Sequence, residues 1–213
     1  MATDTPGRAA TSPMAPHRIY ADFLAPDEQA ALLALALASE GAFEASRLRG
    51  GKVDPQVRRS RSLRGLAPMD GVLRRRVRAR LPSLVADLRV SSFVPSRIEL
   101  EMVVHGDGDH FSRHIDTAVG AGDDPPKGDR VISGVYYFHR EPKGFEGGEL
   151  RLHAFGVADA GFVDIEPRPN ILVAFPSFAP HEVLPVRQPS PDFAGSRFAV
   201  NCWIYRERST DAV

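Results

Sequence analysis

The chain has 213 residues, 43% of them hydrophobic and 25% charged, with Lys/Arg and Asp/Glu balanced at 27 each. That size and mix fit one globular domain with a sizeable core, and zero net charge excludes a global pull toward nucleic acid or membrane surfaces. A single cysteine, Cys202, excludes an internal disulfide framework and fits a reducing, cytoplasmic compartment. No apolar run reaches the roughly eighteen residues of a transmembrane helix.

Residues 1–17 lack the charged start and apolar centre of a signal peptide, and their Thr/Ser/Pro/Ala content predicts a disordered leader. Arg18 to Phe23 can form a short opening strand. Pro26 suits the first turn of a helix, with Asp27 and Glu28 at its positive end. That helix should run to about Glu40 and stop at Gly41, with Ala30, Leu33 and Leu37 on its apolar face. Gly50 to Pro68 is expected to be irregular, with one strand near Val57 to Leu63. A second helix should begin near Asp70, because Leu73, Val77, Leu81, Leu84, Val85 and Leu88 recur at helical spacing; Pro82 should break or restart it. Between Arg47 and Arg97 stand fourteen Lys/Arg against three acids, Asp54, Asp70 and Asp87. Arg74, Arg75, Arg76, Arg78 and Arg80 fit the solvated face of the second helix; the sharper alternative is a basic rim for an acidic partner. Residues 18–96 are thus expected to be an N-terminal helical elaboration packed on the segment that follows.

Residues 97–206 read as strands. Ile98, Leu100, Met102 and Val104 alternate with Glu99, Glu101, Val103 and His105, the period of a half-buried strand. Further strands are expected at Arg130 to Phe138, Glu149 to His153, Asn170 to Phe175 and Arg197 to Tyr205, with a loop at Gly120 to Lys127 and a tail at 207–213. Many short strands between turn signals indicate a mostly β fold, a sandwich or jelly roll.

The chemistry centres on His114-Ile115-Asp116, directly after the Gly/Asp-rich stretch Gly106 to Asp109. Residues two apart on an extended segment point the same way, so an imidazole and a carboxylate so placed can occupy neighbouring positions on one metal. A distant third ligand such as His181, 65 residues after Asp116, would complete the two-His-one-carboxylate facial triad that suits non-haem Fe(II). A His-x-Asp triplet alone equally describes two polar side chains on a half-exposed strand. His110 and His114 have the i, i+4 spacing of a helical zinc site, but Gly106 and Gly108 argue against helix. His17, His139 and His153 have no partner at ligand spacing. Arg197, Ala199, Asn201 and Trp203 share one strand face.

Several blocks in order carry a resemblance: His105-Gly106-Asp107-Gly108 through Asp116-Thr117, Arg130 through Phe138 with Tyr136-Tyr137, Phe145-Glu146-Gly147-Gly148-Glu149-Leu150, His181-Glu182-Val183-Leu184-Pro185-Val186, and Gly195-Ser196-Arg197-Phe198-Ala199 with Trp203. Over roughly residues 98 to 205 the chain resembles the prolyl-4-hydroxylase-like branch of the Fe(II)/2-oxoglutarate dioxygenases. The resemblance implies a double-stranded β-helix, a distorted jelly roll with N-terminal helices outside it. It implies Fe(II), 2-oxoglutarate and O2 as cofactors, with iron held by His114, Asp116 and His181. Arg197 would anchor the distal carboxylate of 2-oxoglutarate, since its planar fork binds carboxylate bidentately and stays charged. Tyr137 would point inward and Tyr136 outward, and Asn201 and Trp203 would line the pocket. Gly147 and Gly148 would make a tight turn.

Two departures stand out. His105 occupies a position where the family commonly has a tyrosine bonded to the cosubstrate; imidazole donates the same bond if its tautomer allows. The step from His181 to Arg197, sixteen residues, is longer than usual, so Arg187 to Ala194 reads as an inserted loop beside the site. Asp116, where related halogenases carry a small residue, favours hydroxylation of an unactivated C–H. The expected partner is a peptidyl or amino-acid-like small-molecule substrate. Oxidative demethylation of nucleic acid is the alternative, weakened because Trp203 stands where those relatives usually have a second arginine. A barrel that binds metal or a small acid without turnover is the other.

Overall fold

The computed structural model describes residues 13–48, 50–117, 128–156 and 161–207. Its elements are β1 (Arg18–Ala21), α1 (Pro26–Ala38), β2 (Glu44–Ala45), β3 (Arg58–Arg59), β4 (Arg61–Leu63), α2 (Met69–Asp87), β5 (Arg97–His105) and β6 (His110–His114). They continue with β7 (Asp129–Phe138), β8 (Glu146–Gly147), β9 (Leu150–His153), β10 (Phe162–Ile165), β11 (Ile171–Pro176), β12 (His181–Val183), β13 (Val186–Arg187) and β14 (Arg197–Arg206). A seven-stranded sheet runs β1-β11-β7-β14-β5-β4-β2, a five-stranded one runs β10-β9-β12-β6-β3, and β13 pairs with β8. The strands pair antiparallel, and the fold is the jelly roll that the resemblance implied.

Two apolar layers hold it together. On β14, Phe198, Val200, Cys202 and Ile204 pack with α1 and α2 on one face of the large sheet. Arg197, Asn201, Trp203 and Tyr205 on the other face look into the space between the sheets, with Ala199 in the inner apolar cluster. The same period of two sends Tyr136 to the helix side and Tyr137 to the interior. Cys202 is a free thiol buried on the helix side, and burial pushes it up to about 12.

The structure corrects several local expectations. Helix α1 buries Leu32 and Ala36 rather than Ala30 and Leu37, which are exposed. Its run of Ala and Leu is apolar all round, so periodicity could not choose the face that meets the sheet. Changing Leu32 to alanine is expected to cost about 2–5 kcal/mol, while Leu37→Ala should stay within about 0.5 kcal/mol; urea unfolding of the two variants checks this. Pro82 does not break α2, which is continuous. The proline lies on the exposed side, where water serves a freed carbonyl, and Leu73, Val77, Leu84 and Leu88 bury on both sides of it.

The single strand expected near Val57 to Leu63 is two, interrupted at Ser60, and they join different sheets. Strand β5 is buried on both faces from Leu100 onward, not half-buried, because it lies between β14 and β4 with helices behind and the second sheet in front. Strands β1 to β4, from the segment expected to be helical elaboration, supply edges to both sheets. The predicted leader is placed from residue 13: Ala15 is buried and Met14 bridges to Ala154. The first twelve residues, the whole 120–127 loop and most of the 207–213 tail lie outside the described residues. Among the described residues no helix is long and apolar enough to cross a membrane.

Candidate active site

A cavity of about 490 Å³ opens between the sheets, with His105, His114, Asp116, Tyr137, His181, Arg197, Asn201 and Trp203 all on its wall. The eight residues singled out from the sequence therefore share one space. His114 ends β6 and sits opposite His181, which starts β12. Asp116 lies two residues beyond, its backbone held by Ser177 through N–H···O bonds of 2.9 Å from Asp116 and 3.1 Å from Thr117.

The hydrogen bonds fix which ring nitrogens face the centre. His114 donates from Nδ1 to the Ser112 carbonyl at 2.8 Å, and His181 from Nδ1 to the Ala179 carbonyl at 2.9 Å. A carbonyl only accepts, so in each neutral ring the proton is on Nδ1 and Nε2 offers a lone pair. The two Nε2 atoms stand 3.8 and 3.7 Å from the oxygens of Asp116, and the ligating atoms of all three residues lie within 4.8 Å of one another. Burial and the neighbouring His181 push the His114 imidazole below its ordinary range, which favours the neutral form that binds metal.

Asp116 Oδ2 accepts from Ser133 Oγ at 2.6 Å and from Trp203 Nε1 at 2.9 Å. Burial would raise this carboxyl, but the attraction of the two imidazoles when protonated, the Ser133 bond and Arg130 outweigh it and hold the group below its ordinary range. Trp203, expected beside the cosubstrate, thus gives its one N–H to the carboxylate instead. Arg130 stacks 4.1 Å over the Trp203 ring, with Nη1 3.9 Å from Asp116. Neither Ser133 nor Arg130 was singled out from the sequence, although Ser133 shares its strand face with Tyr137 at a spacing of four.

At the other end of the cavity lies Arg197, 1% exposed. Its Nε donates to the Gly148 carbonyl at 2.8 Å and Nη1 to His105 Nδ1 at 3.2 Å, while Nη2 is buried without a partner. Guanidinium cannot accept, so His105 Nδ1 is the acceptor and His105 carries its proton on Nε2. That Nε2 is also buried and unpartnered, as is the Tyr137 hydroxyl. Burial and the Arg197 charge keep His105 neutral, and burial holds the Tyr137 hydroxyl protonated despite Arg197. Three donors thus line one cavity, with Tyr137 lying against the buried Arg197 charge. A carboxylate is a group that can accept from such donors and neutralise that charge.

Gly148, at φ +69°, makes room for that arginine: a Cβ there would come within 2.6 Å of Arg197 Cδ. Gly148→Ala is expected to strain the backbone by about 1–2 kcal/mol. By displacing Arg197 it should also weaken 2-oxoglutarate binding about tenfold, the equivalent of about 1.4 kcal/mol; isothermal titration with the cosubstrate checks it.

Toward the mouth, Arg58 and Glu101 form a buried pair at 3.1 Å, and the exposed Arg64 reaches the same carboxylate at 3.4 Å. The basic segment therefore divides. Arg58 and Arg64 reach the cavity, while Arg74 pairs with Asp70, and Arg75 and Arg76 pair with Glu28 of α1. A carboxylate inside the apolar run of β5 was a signal for Glu101 that alternation alone did not interpret. His110 turns away to Gly108 and Gln56 carbonyls, and His153 pairs with Glu182 at 3.0 Å on the outer side of β9. The 187–194 insertion does not line the cavity: Gln188 N–H donates to Asp107 Oδ1 at 2.9 Å, next to the Gly106 turn, and Phe193 packs on Phe43 and Phe198 on the helix side of β14.

Residues 100–205 match the model of the 2OG-Fe(II) oxygenase superfamily. An uncharacterized PKHD-type hydroxylase of Synechocystis is 38% identical over 145 residues, 65% of this chain and 46% of its own; the chain spans about half the length of that curated relative. A Pseudomonas putida prolyl-4-hydroxylase superposes with a TM-score of 0.65 at 25% identity, covering 90% of this chain and 94% of the other. A Trichoplax adhaerens prolyl hydroxylase, solved with a peptide fragment of hypoxia inducible factor, superposes with a TM-score of 0.65 at 20% identity over 89% and 83% of the two chains, a likeness of fold. The matched segment carries the two-His-one-carboxylate cluster, and through it the chain belongs to the 2OG-Fe(II) oxygenase superfamily as a prolyl-4-hydroxylase-like member; the superfamily's cofactors are Fe(II), 2-oxoglutarate and O2.

Proposed function

We propose that this oxygenase hydroxylates an unactivated C–H of a peptidyl or amino-acid-like substrate, with His114, Asp116 and His181 as iron ligands and Arg197 as the anchor of 2-oxoglutarate. The observation that carries the reading is the set of unpartnered buried donors, Arg197 Nη2, Tyr137 OH and His105 Nε2, in the same cavity as the three candidate ligands. Bound at these residues, Fe(II) with 2-oxoglutarate and dioxygen would supply the oxidation of the C–H to C–OH, with succinate and carbon dioxide as the other products. The protein's part is orientation and exclusion of water. His114 and His181 would present their Nε2 atoms to the metal, their rings oriented by the Nδ1 bonds to the Ser112 and Ala179 carbonyls. Asp116 contributes the charge, oriented by Ser133 and Trp203. Arg197, Tyr137 and His105 take the distal carboxylate, and Val135, Leu150 and Val183 give that end an apolar lining. Arg64, Glu99 and Arg130 also line the cavity, charged groups that would meet a peptide backbone or the polar ends of an amino acid. Similarity to the Pseudomonas putida prolyl-4-hydroxylase supports the peptidyl version.

The test is anaerobic titration with Fe(II) and 2-oxoglutarate, followed in air by succinate measurement with peptide and amino-acid panels. A visible charge-transfer band, slow uncoupled succinate and acceleration by one panel member support the reading. A band without any succinate would make this a binding barrel, and acceleration by oligonucleotides alone would replace the substrate class.

A further inference from the structure

Phe111 and His114 are three residues apart on β6, and in a regular strand they would point to opposite faces. The ladder with β12 is not regular. Where β12 steps two residues, from His181 to Val183, β6 steps three, from His114 to Phe111. The extra residue is a β-bulge, a device that re-aims a side chain. Here it brings the Phe111 ring onto the His114 imidazole, with centroids 3.6 Å apart and planes inclined by 18°. The bulge also supplies the Ser112 carbonyl that accepts from His114 Nδ1, and Ser112 N–H donates to the Val57 carbonyl at 2.8 Å, tying it to the chain just before β3.

Over the same Phe111 ring lies the Arg58 guanidinium, 5.0 Å from its centroid. Arg58 is 8% exposed and immobilised on three sides, by Glu101 at 3.1 Å, Ser60 Oγ at 3.2 Å and the Arg47 carbonyl at 3.3 Å. A guanidinium over an aromatic face is attractive, more so when desolvated. A fixed cation thus holds a ring that is stacked on the imidazole.

We propose that Phe111 and Arg58 are positioning residues: the stacked ring, clamped by the buried guanidinium, sets the plane of the His114 imidazole and so the direction of its Nε2 toward the metal. The inference rests on His114 being a ligand. Outer partners that orient a ligating histidine are worth about tenfold to a hundredfold in metal affinity.

The experiment is the anaerobic Fe(II) and 2-oxoglutarate titration on wild type, Phe111→Leu, Phe111→Tyr and Arg58→Lys, with thermal unfolding alongside. Phe111→Leu is expected to bind Fe(II) about tenfold to a hundredfold more weakly and to move the charge-transfer band. Phe111→Tyr, which keeps the ring, should retain both, and Arg58→Lys, which keeps charge without the planar fork, should fall between. A folded Phe111→Leu with wild-type affinity and an unmoved band overturns the proposal, because leucine fills the space but cannot stack. Should that variant not fold, Phe111→Met takes its place with the same two outcomes. Absence of the band in wild type instead overturns the ligand assignment itself.

Discussion

Asp116→Ala is expected to bind Fe(II) more than about a hundredfold more weakly than wild type, beyond what loss of an outer-shell partner costs, and to form no measurable succinate. The substitution removes the one negative charge among the three candidate ligands. It also takes the acceptor from Trp203 Nε1 and one of the two carboxylates near Arg130, which keeps Glu99 at 3.7 Å. Ser133 keeps a partner in Ser177 Oγ at 2.9 Å, so the fold should survive with a loss of about 1–3 kcal/mol for the indole N–H left unpaired. Anaerobic titration reads the metal and thermal unfolding reads the fold. Asp116→Glu separates charge from position: the carboxylate is retained but pushed one methylene past Ser133 and Trp203, and metal binding should recover only in part. Wild-type Fe(II) affinity in Asp116→Ala would show that the metal sits elsewhere.

The second large effect is at the other end of the cavity. Arg197→Ala should leave Fe(II) binding close to wild type while weakening 2-oxoglutarate by roughly thirtyfold to several thousandfold, as expected for losing one side of a buried charge pair worth about 2–5 kcal/mol. The kinetic signature is a raised KM for 2-oxoglutarate, with kcat partly restored at high cosubstrate. Tyr137→Phe removes one neutral donor from the same cradle, and its smaller effect, about twofold to tenfold, gives the scale. Equal cosubstrate affinity in Arg197→Ala and wild type would remove Arg197 from its role and leave its buried charge unexplained.

These two ends were unequally legible in the chain. Strict alternation on β14 put Arg197, Ala199, Asn201 and Trp203 on one face, and the structure places all four toward the interior. The same period separated Tyr137 from Tyr136. The apolar face of α1 was not legible, since a helix of Ala and Leu offers no contrast, and the effect of Pro82 was misjudged because its solvent exposure is a tertiary fact. The basic segment was legible as charge but not as two populations, one on α2 and one reaching Glu101.

The sequence by itself determined the class: a mostly β chain, the order His114-x-Asp116, His181, Arg197, and the resemblance these blocks carry to the 2OG-Fe(II) oxygenase family. Only the tertiary structure decided the partners. It gave the Trp203 N–H to Asp116 rather than to the cosubstrate, set the His105 tautomer through Arg197, and laid Phe111 on His114 through a bulge. The physical reason is common to all three. Periodicity along a strand says which face a side chain takes, but what it meets across that face depends on register, bulges and the neighbouring sheet, which form only when distant segments pack.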